Sequence, residues 1–73
     1  MKQEIYKLTQ NFSKNIKIER KSHKMTQKQV AQAIGIKTQS YQAYEKNISM
    51  PSLENLLKLA IIFDVSLNEL FEI

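Results

Sequence analysis

Residues 26–47 place amide, hydroxyl and ammonium side chains at spacings that suit contact with a polyanion. In this stretch, TQKQVAQAIGIKTQSYQAYEKN, and just after it, Tyr41, Tyr44 and Ile48 recur at helical intervals and predict a buried face. The opposite face carries Thr38, Gln39, Gln42, Ala43 and Lys46. Amides and hydroxyls donate and accept hydrogen bonds, and lysines attract negative charge. The pattern therefore indicates a surface that contacts a polar, anionic partner.

Chemistry that needs a catalytic or metal-binding cluster has little support in this sequence. The chain has one histidine and no cysteine, so it lacks the residues for a disulfide framework, a thiolate metal site or a zinc site. No Ser/His/Asp set and no phosphate-binding loop is evident. His23 falls at a predicted helix end, where it can interact with the helix dipole. We therefore predict that the protein is not an enzyme and needs no cofactor or metal ion.

Two short helices joined by a turn must hold the polar surface. Thr26 and Gln29 form a capping-box pattern at the start of the first helix. The apolar face of that helix is Val30, Ala31 and Ile34. Gly35, the only glycine, stands where a left-handed residue ends a helix. The second helix then carries the polar side chains.

The preceding segment predicts one core helix and an extension. Residues 1–10 form either a helical extension or an arm that packs on a partner subunit. Asn11 is expected to cap a first core helix that runs to about His23. Phe12 and Ile16 would face the core from this helix.

The following segment predicts two more helices, so the fold is expected to be all-α. Ser52 is expected to cap a fourth helix with the core stripe Leu53, Leu56, Leu57, Ala60 and Phe63. Three further apolar residues extend beyond this stripe: Leu59, Ile61 and Ile62. Either a subunit interface or the last helix covers this surplus. Ser66 and Glu69 form a second capping box, which opens the last helix.

Length and charge limit the chain to one small domain with an uneven charge distribution. It has 73 residues and a net charge of +4. Residues 1–46 carry +7 and residues 47–73 carry −3, which favours a polyanion partner on one side; an unevenly charged, solvated surface is the alternative. The longest apolar run is too short to span a bilayer, and the N-terminus lacks a signal-peptide core. These features predict a cytoplasmic location without membrane contact.

The order and spacing of these segments resemble the Cro/CI-type helix-turn-helix family of transcription regulators, also called xenobiotic-response-element-like. The segments MTQKQVAQAIG, YEKN, MPSLENLLKLA and DVSLNELF occur in the family's order over roughly residues 11–72. The resemblance implies a five-helix, lambda-repressor-like domain over residues 11–73. Its helix-turn-helix unit would be residues 26–46, with residues 1–10 as an N-terminal extension.

The resemblance implies that the third helix lies in the major groove of DNA and the second crosses the backbone. The base-reading positions would be Thr38, Gln39, Gln42 and Ala43. Gln39 suits adenine, and Thr38 and Ala43 suit a thymine methyl group. Because the set contains no arginine, an A/T-leaning half-site is expected.

Phosphate contacts are expected at Gln27, Lys28, Lys37, Ser40, Lys46 and Asn47. Gln27 suits this role because the first N–H groups of a helix and an amide donor can bind a phosphate oxygen. Arg20 and Glu45 match a salt bridge that in relatives joins the first helix to the third. A direct phosphate contact by Arg20 is the alternative.

Two lysines depart from the family pattern. Lys24 occupies a position where relatives often have glycine, so the first turn is expected to be less tight or differently closed. Lys37 stands where relatives often have a Ser/Thr cap. Thr38 would then be the cap and would no longer contact a base.

Together, these features predict a sequence-specific regulator of transcription that binds double-stranded DNA, with repression as the expected mode. A single domain is small for specific binding, so a homodimer on an inverted repeat is expected. The interface candidates are Ile61, Ile62, Leu67, Phe71 and Ile73. The alternative is an antitoxin or adaptor that uses the fold to bind a protein, which residues 1–10 favour. A regulatory protein partner is compatible with both functions.

Overall fold

The computed structural model describes all 73 residues and contains five α-helices and no β-strand. The helices are α1 (Lys2–Ser22), α2 (Gln27–Ile34), α3 (Thr38–Glu45), α4 (Leu53–Phe63) and α5 (Leu67–Phe71). The predicted all-α, five-helix fold is therefore confirmed. None of these helices combines the length and the apolar character that crossing a membrane requires.

α1 is one continuous helix that includes the N-terminal segment. It begins at Lys2, so residues 2–10 are helical, as in the helical-extension alternative, and the predicted helix start at Asn11 is wrong. No residue in the first ten interrupts a helix, which lets it extend past the expected cap. The Asn11 side chain instead donates a hydrogen bond to the Phe71 carbonyl oxygen of α5, at 3.2 Å.

The predicted helix starts at α2 and α5 are confirmed by their capping boxes. The Gln29 N–H donates to Thr26 Oγ1 at 3.1 Å, and the Thr26 N–H donates to Gln29 Oε1 at 2.8 Å. Ser66 and Glu69 form the same pair of bonds at α5, at 3.0 and 3.2 Å. Ser52 caps α4, as predicted. Each cap satisfies N–H groups that a helix start leaves without a partner.

Each helix is followed by a residue in the left-handed backbone conformation. Gly35 closes α2 with φ 78°, as the sequence predicts. The other four helix ends use residues with a Cβ atom, namely Lys24, Asn47, Asp64 and Glu72. Because a Cβ atom crowds the following carbonyl oxygen in this conformation, these four ends carry a modest backbone strain.

The turn after α1 closes as a Schellman motif around Lys24. The Lys24 N–H donates to the Lys21 carbonyl oxygen at 3.0 Å, and the Met25 N–H donates to the Arg20 carbonyl oxygen at 3.1 Å. The φ angle of Lys24 is 56°. The lysine thus keeps the closure that glycine adopts most readily, and the expectation of a different closure is wrong.

Replacing Lys24 with glycine is expected to stabilise the protein by about 0.5–1 kcal/mol, because glycine adopts a positive φ without the Cβ clash. The Lys24 side chain is exposed, so little else changes. Lys17→Gly, in the exposed middle of α1, is the opposite-sign control and should cost about 1 kcal/mol. Urea denaturation followed by circular dichroism measures both. A lower midpoint for Lys24→Gly than for the native chain would contradict the strain argument.

The core takes apolar side chains from all five helices. Its buried members are Phe12, Ile16, Val30, Ala31, Ile34, Tyr41, Tyr44, Leu59, Phe63 and Leu70. Phe12 and Ile16 face inward as predicted. Partly buried neighbours, including Leu56 and Ala60, complete the packing.

α4 buries only part of its predicted stripe: Phe63 is buried and Leu56 and Ala60 pack against the core, but the other two members do not. Leu59 is fully buried, whereas Leu53 and Leu57 are 69% and 44% exposed. The helix is apolar on more than one side, so packing against its neighbours selects the inward side.

Ile48, predicted to share the buried face of α3, is also exposed because α3 ends before it.

α1 is bonded to both α3 and α5. The Ser13 hydroxyl donates to the Tyr44 carbonyl oxygen near the end of α3, at 2.6 Å, and this serine is itself buried. The Asn15 amide donates to the Leu70 carbonyl oxygen of α5, at 2.8 Å. α1 therefore fixes the positions of the polar helix and the last helix relative to each other.

Candidate nucleic-acid interface

α3 is oriented by two tyrosines that pack into the core. Tyr41 is fully buried and Tyr44 is 7% exposed, and their rings meet edge to face with centroids 6.2 Å apart. Because side chains on a helix repeat every 3.6 residues, this anchoring turns the other side of α3 away from the core. That side carries the four predicted base-reading residues, Thr38, Gln39, Gln42 and Ala43.

These four residues differ in how freely they can contact a partner. The Gln39 side chain is exposed and makes no hydrogen bond within the chain. Thr38 and Ala43 are half-buried, and Gln42 is half-buried and hydrogen-bonded. Thr38 is the first residue of α3; Lys37 occupies the cap position without a side-chain bond. The alternative in which Thr38 caps α3 is therefore wrong, and its hydroxyl remains available.

The predicted phosphate-contacting residues surround the same helices. Lys28 lies in the first turn of α2, Lys37 immediately precedes α3, and Lys46 immediately follows it. All three lysines are exposed and none pairs with a carboxylate. Ser40 is exposed, and Asn47 is half-buried in the left-handed turn. The positive charge beside α3 is thus uncompensated within the chain.

A buried ion pair joins α1 to the last residue of α3. Arg20 Nε donates to Glu45 Oε2 at 2.7 Å and Arg20 Nη2 donates to Glu45 Oε1 at 3.2 Å. Arg20 Nη1 donates to the Met25 carbonyl oxygen at 3.0 Å. The side chains are 11% and 3% exposed. This is the pair that the resemblance implies; with its guanidinium engaged in three places, Arg20 is poorly placed for a phosphate.

Two glutamines extend this pair toward the outward side of α3. Gln27 Nε2 donates to Glu45 Oε1 at 3.0 Å, and Gln42 Nε2 donates to Gln27 Oε1 at 3.0 Å. The sequence predicts a backbone role for Gln27 and a base role for Gln42, but it does not predict their contact. The one available signal is the three-residue spacing of Gln42 and Glu45, which puts them on one side of a helix.

Glu45 remains ionised although it is largely buried. Burial alone would raise the pKa of its carboxyl, but the neighbouring polar side chains, Arg20 first and then Tyr41 and Gln27, outweigh burial and hold the pKa below the ordinary value. The hydrogen bond to Glu45 likewise raises the pKa of Arg20. The pair therefore carries full opposite charges at neutral pH.

Acid is expected to weaken the fold through Glu45. Because its folded pKa lies below the ordinary 4.5, its contribution is fully present above that pH and is lost as pH falls through the folded value. Urea midpoints measured from pH 6 to pH 3 should therefore fall more for the native chain than for Glu45→Gln. Glu72 is the control, because it is an exposed carboxylate whose pKa is also lowered, by Lys14 and Asn15. The same measurement on Glu72→Gln shows how much of the acid effect a surface carboxylate produces. Equal acid sensitivity of the native chain and Glu45→Gln would contradict the assignment.

The hydroxyl of Tyr41 is buried beside this ion pair without a hydrogen-bond partner. Burial first, and then the neighbouring Glu45 carboxylate, raise the pKa of Tyr41 far above its ordinary value, so the phenol stays neutral. A buried, unpaired hydroxyl lowers stability, because it has lost its bonds to water.

Tyr41→Phe is expected to leave the free energy of unfolding unchanged or to raise it by up to about 1 kcal/mol, since only the unpaired hydroxyl is removed. Thermal denaturation measures the effect. Tyr44→Phe is the matched control, because the Tyr44 hydroxyl accepts a long hydrogen bond from Asn55 at 3.5 Å. A clear loss of stability in Tyr41→Phe would show that its hydroxyl does find a partner.

This chain is similar to one family of known proteins. A family model described as helix-turn-helix matches residues 16–70. The chain is 42% identical over 52 residues to the cryptic phage CTXphi transcriptional repressor RstR of Vibrio cholerae, covering 71% of this chain and 46% of the relative. Two uncharacterized HTH-type transcriptional regulators of Bacillus subtilis are also similar: YobD, 45% identical over 49 residues, and YqaE, 39% identical over 61 residues.

These matches cover 67% of this chain and 44% of YobD, and 84% of this chain and 53% of YqaE. The chain therefore spans about half the length of the curated relatives it matches. No solved structure matches it significantly.

Proposed function

The chain belongs to the helix-turn-helix family, and from that premise we propose that it is a regulator of transcription that binds specific sequences in double-stranded DNA. The observation that carries the proposal is the outward side of α3. Its polar and small side chains point away from the core, and three exposed, unpaired lysines flank it and the start of α2. α3 would enter the major groove, with α2 across the backbone.

The outward side of α3 favours a half-site that contains A·T pairs. The Gln39 side chain is free of internal hydrogen bonds, so its amide can form two hydrogen bonds at once with one adenine, to N6 and N7. The methyl groups of Thr38 and Ala43 suit contact with the thymine methyl. The strongest guanine contact requires an arginine or lysine on this side, and none of its four residues is basic.

We propose repression as the mode of regulation. One of the relatives is named a transcriptional repressor. A protein seated in the major groove of a promoter can also repress simply by occupying the site. This mode needs no surface beyond the one described.

We propose a homodimer whose interface lies on α4 and α5. Of the candidate residues, Ile61 and Ile73 are 76% and 70% exposed. Ile62, Leu67 and Phe71 are partly buried on the core. The exposed Leu57 is a further member, because it lines one cleft with Ile61 between α4 and α5. Two copies related by a two-fold axis would present two copies of α3 to an inverted repeat.

Selection of bound duplexes from a random pool, followed by sequencing, tests this function. An enriched inverted repeat supports both specific binding and the dimer. Ile61→Asp should then abolish enrichment of the paired half-sites, and sedimentation should show a monomer that keeps its fold. The control is Ile18→Asp, which changes another exposed apolar residue, on α1. No enrichment at low salt by the folded native chain would overturn the proposal.

A protein-binding adaptor or antitoxin is the second candidate. The observation that favours it is an exposed apolar surface on the first turns of α1, where Ile5 and Tyr6 are 54% and 59% exposed. The duplex selection separates the candidates. An adaptor would keep its fold and bind no duplex, whereas a regulator binds one even with Ile5 and Tyr6 replaced by serine.

A further inference from the structure

A chain of hydrogen bonds runs from the buried ion pair to α3's outward side and uses residues of three helices. Arg20 of α1 donates to Glu45 of α3. Gln27, the first residue of α2, donates through Nε2 to Glu45 Oε1, and its own Oε1 accepts from Gln42 Nε2 of α3, both at 3.0 Å. We call this set the glutamine relay: Glu45, Gln27 and Gln42.

The direction of every bond in the glutamine relay follows from the charge at one end. An ionised carboxylate can only accept hydrogen bonds, so Gln27 must turn its NH2 group toward Glu45. The Gln27 carbonyl oxygen then faces Gln42, and because that oxygen also can only accept, Gln42 must turn its own NH2 group toward it. Gln42 Oε1, which has no partner within the chain, is left at the far side of the amide.

We propose that Glu45 and Gln27 are positioning residues for base recognition by Gln42. They fix the orientation of the Gln42 amide, so that it offers an oxygen acceptor to the DNA. The complementary donors on base edges in the major groove are the N6 amino group of adenine and the N4 amino group of cytosine. This inference rests on the proposed DNA-binding function.

The relay changes what is expected of Gln27. A residue that contacts only phosphate contributes equally to binding of every sequence. Gln27 keeps a second amide N–H for a phosphate, while its carbonyl oxygen holds the amide of a base-reading residue. Gln27 should therefore influence which base is chosen at one position. Gln39, which lies outside the relay, should read another base independently.

The relay itself can be tested without DNA by NMR of the 15N-labelled protein. In Glu45→Gln the shape of residue 45 is retained, but its amide can donate as well as accept, so the direction of the relay is no longer imposed. The side-chain NH2 signals of Gln27 and Gln42 are expected to move, whereas those of Gln32 and Gln39 stay. Gln32 is the matched control on α2, exposed and outside the relay.

Gln27→Met gives a second test that leaves the Arg20–Glu45 pair in place, and it remains informative if Glu45→Gln folds poorly. The NH2 signals of Gln42 are again expected to move, and those of Gln39 to stay. Unchanged Gln42 signals in a folded Gln27→Met protein would overturn the relay.

The positioning role is tested by duplex selection with the variants Gln27→Met, Gln42→Met, Gln39→Met and Gln32→Met. Gln27→Met and Gln42→Met are expected to relax preference at the same base pair, by about tenfold for a lost base contact. The double variant should relax it no further. Gln39→Met should relax a different base pair, and its effect should add to that of Gln27→Met. Gln32→Met should bind like the native chain.

Two outcomes would overturn the positioning role and are distinguishable. If Gln27→Met weakens binding to all duplexes equally and keeps the native preference, Gln27 contacts phosphate only, and the proposed function stands. If the native chain selects no duplex while NMR shows the relay, the proposed function fails and the positioning role fails with it.

Discussion

Glu45→Ala is expected to lower the free energy of unfolding by about 3–5 kcal/mol, because it leaves a buried guanidinium without its counter-charge. Arg20 is 11% exposed and would lose both of its bonds to the carboxylate. A domain of this size has a total stability of only about 4–11 kcal/mol. The variant should therefore lose a large share of its stability and melt at a clearly lower temperature, as thermal denaturation followed by circular dichroism can show.

The matched control is the exposed ion pair between Lys58 and Glu54, one helical turn apart on α4. Glu54→Ala should cost less than about 1 kcal/mol, since solvent screens such a pair. Replacing both Arg20 and Glu45 by methionine should recover most of the lost stability, because no unpaired charge remains buried. If Glu45→Ala were no more destabilising than Glu54→Ala, the ion pair would not hold α3 in place.

Raising the salt concentration from 50 to 200 mM is expected to weaken DNA binding by about a thousandfold. Each copy presents three unpaired lysines around α2 and α3, Lys28, Lys37 and Lys46. A dimer would then neutralise about six phosphates, which corresponds to a slope near −5 in a plot of log affinity against log salt. Fluorescence anisotropy with the selected duplex measures this slope.

Lys46→Ala removes one cation from each copy, so its slope should be shallower by about two. Lys14→Ala is the control, because Lys14 already pairs with a carboxylate, that of Glu72, at 2.9 Å. Its slope should equal that of the native chain. A native slope near zero, or equal slopes for both variants, would place the DNA on another surface.

Features decided by neighbouring residues were predictable from the sequence. The capping boxes at Thr26 and Ser66, and the left-handed turn at Gly35, depend on residues three or four positions apart. The physical pattern is complete within a single turn of helix, so no tertiary contact is needed to recognise it.

Features decided by the packing of helices against each other were not predictable from the sequence. The sequence of α4 is apolar on several sides, and only its neighbours select Leu59 over Leu53 and Leu57 for the core. The start of α1 was misplaced for a related reason, because a good capping residue at Asn11 does not end a helix that can continue. Local patterns show where a helix can begin but not that it must.

The candidate site divides in the same way. The outward side of α3 follows from the spacing of its two tyrosines. The contact between Gln27 and Gln42 depends on the angle and distance between α2 and α3, which neither helix encodes alone. The resemblance implies the Arg20–Glu45 pair, and the pair brings α3 to the place where that contact forms.

The bonding of α1 to both α3 and α5 has a consequence for the DNA that such a dimer would accept. The helix proposed to enter the groove and the proposed interface are joined through α1, since Ser13 bonds to α3 and Asn15 bonds to α5. One added base pair between half-sites would turn the second half-site by about 35°, since a turn of B-DNA takes ~10–10.5 base pairs. Because no hinge separates α3 from the proposed interface, the protein would not follow that rotation. The duplex itself would have to twist. Spacer length, and not only half-site sequence, would therefore discriminate between operators.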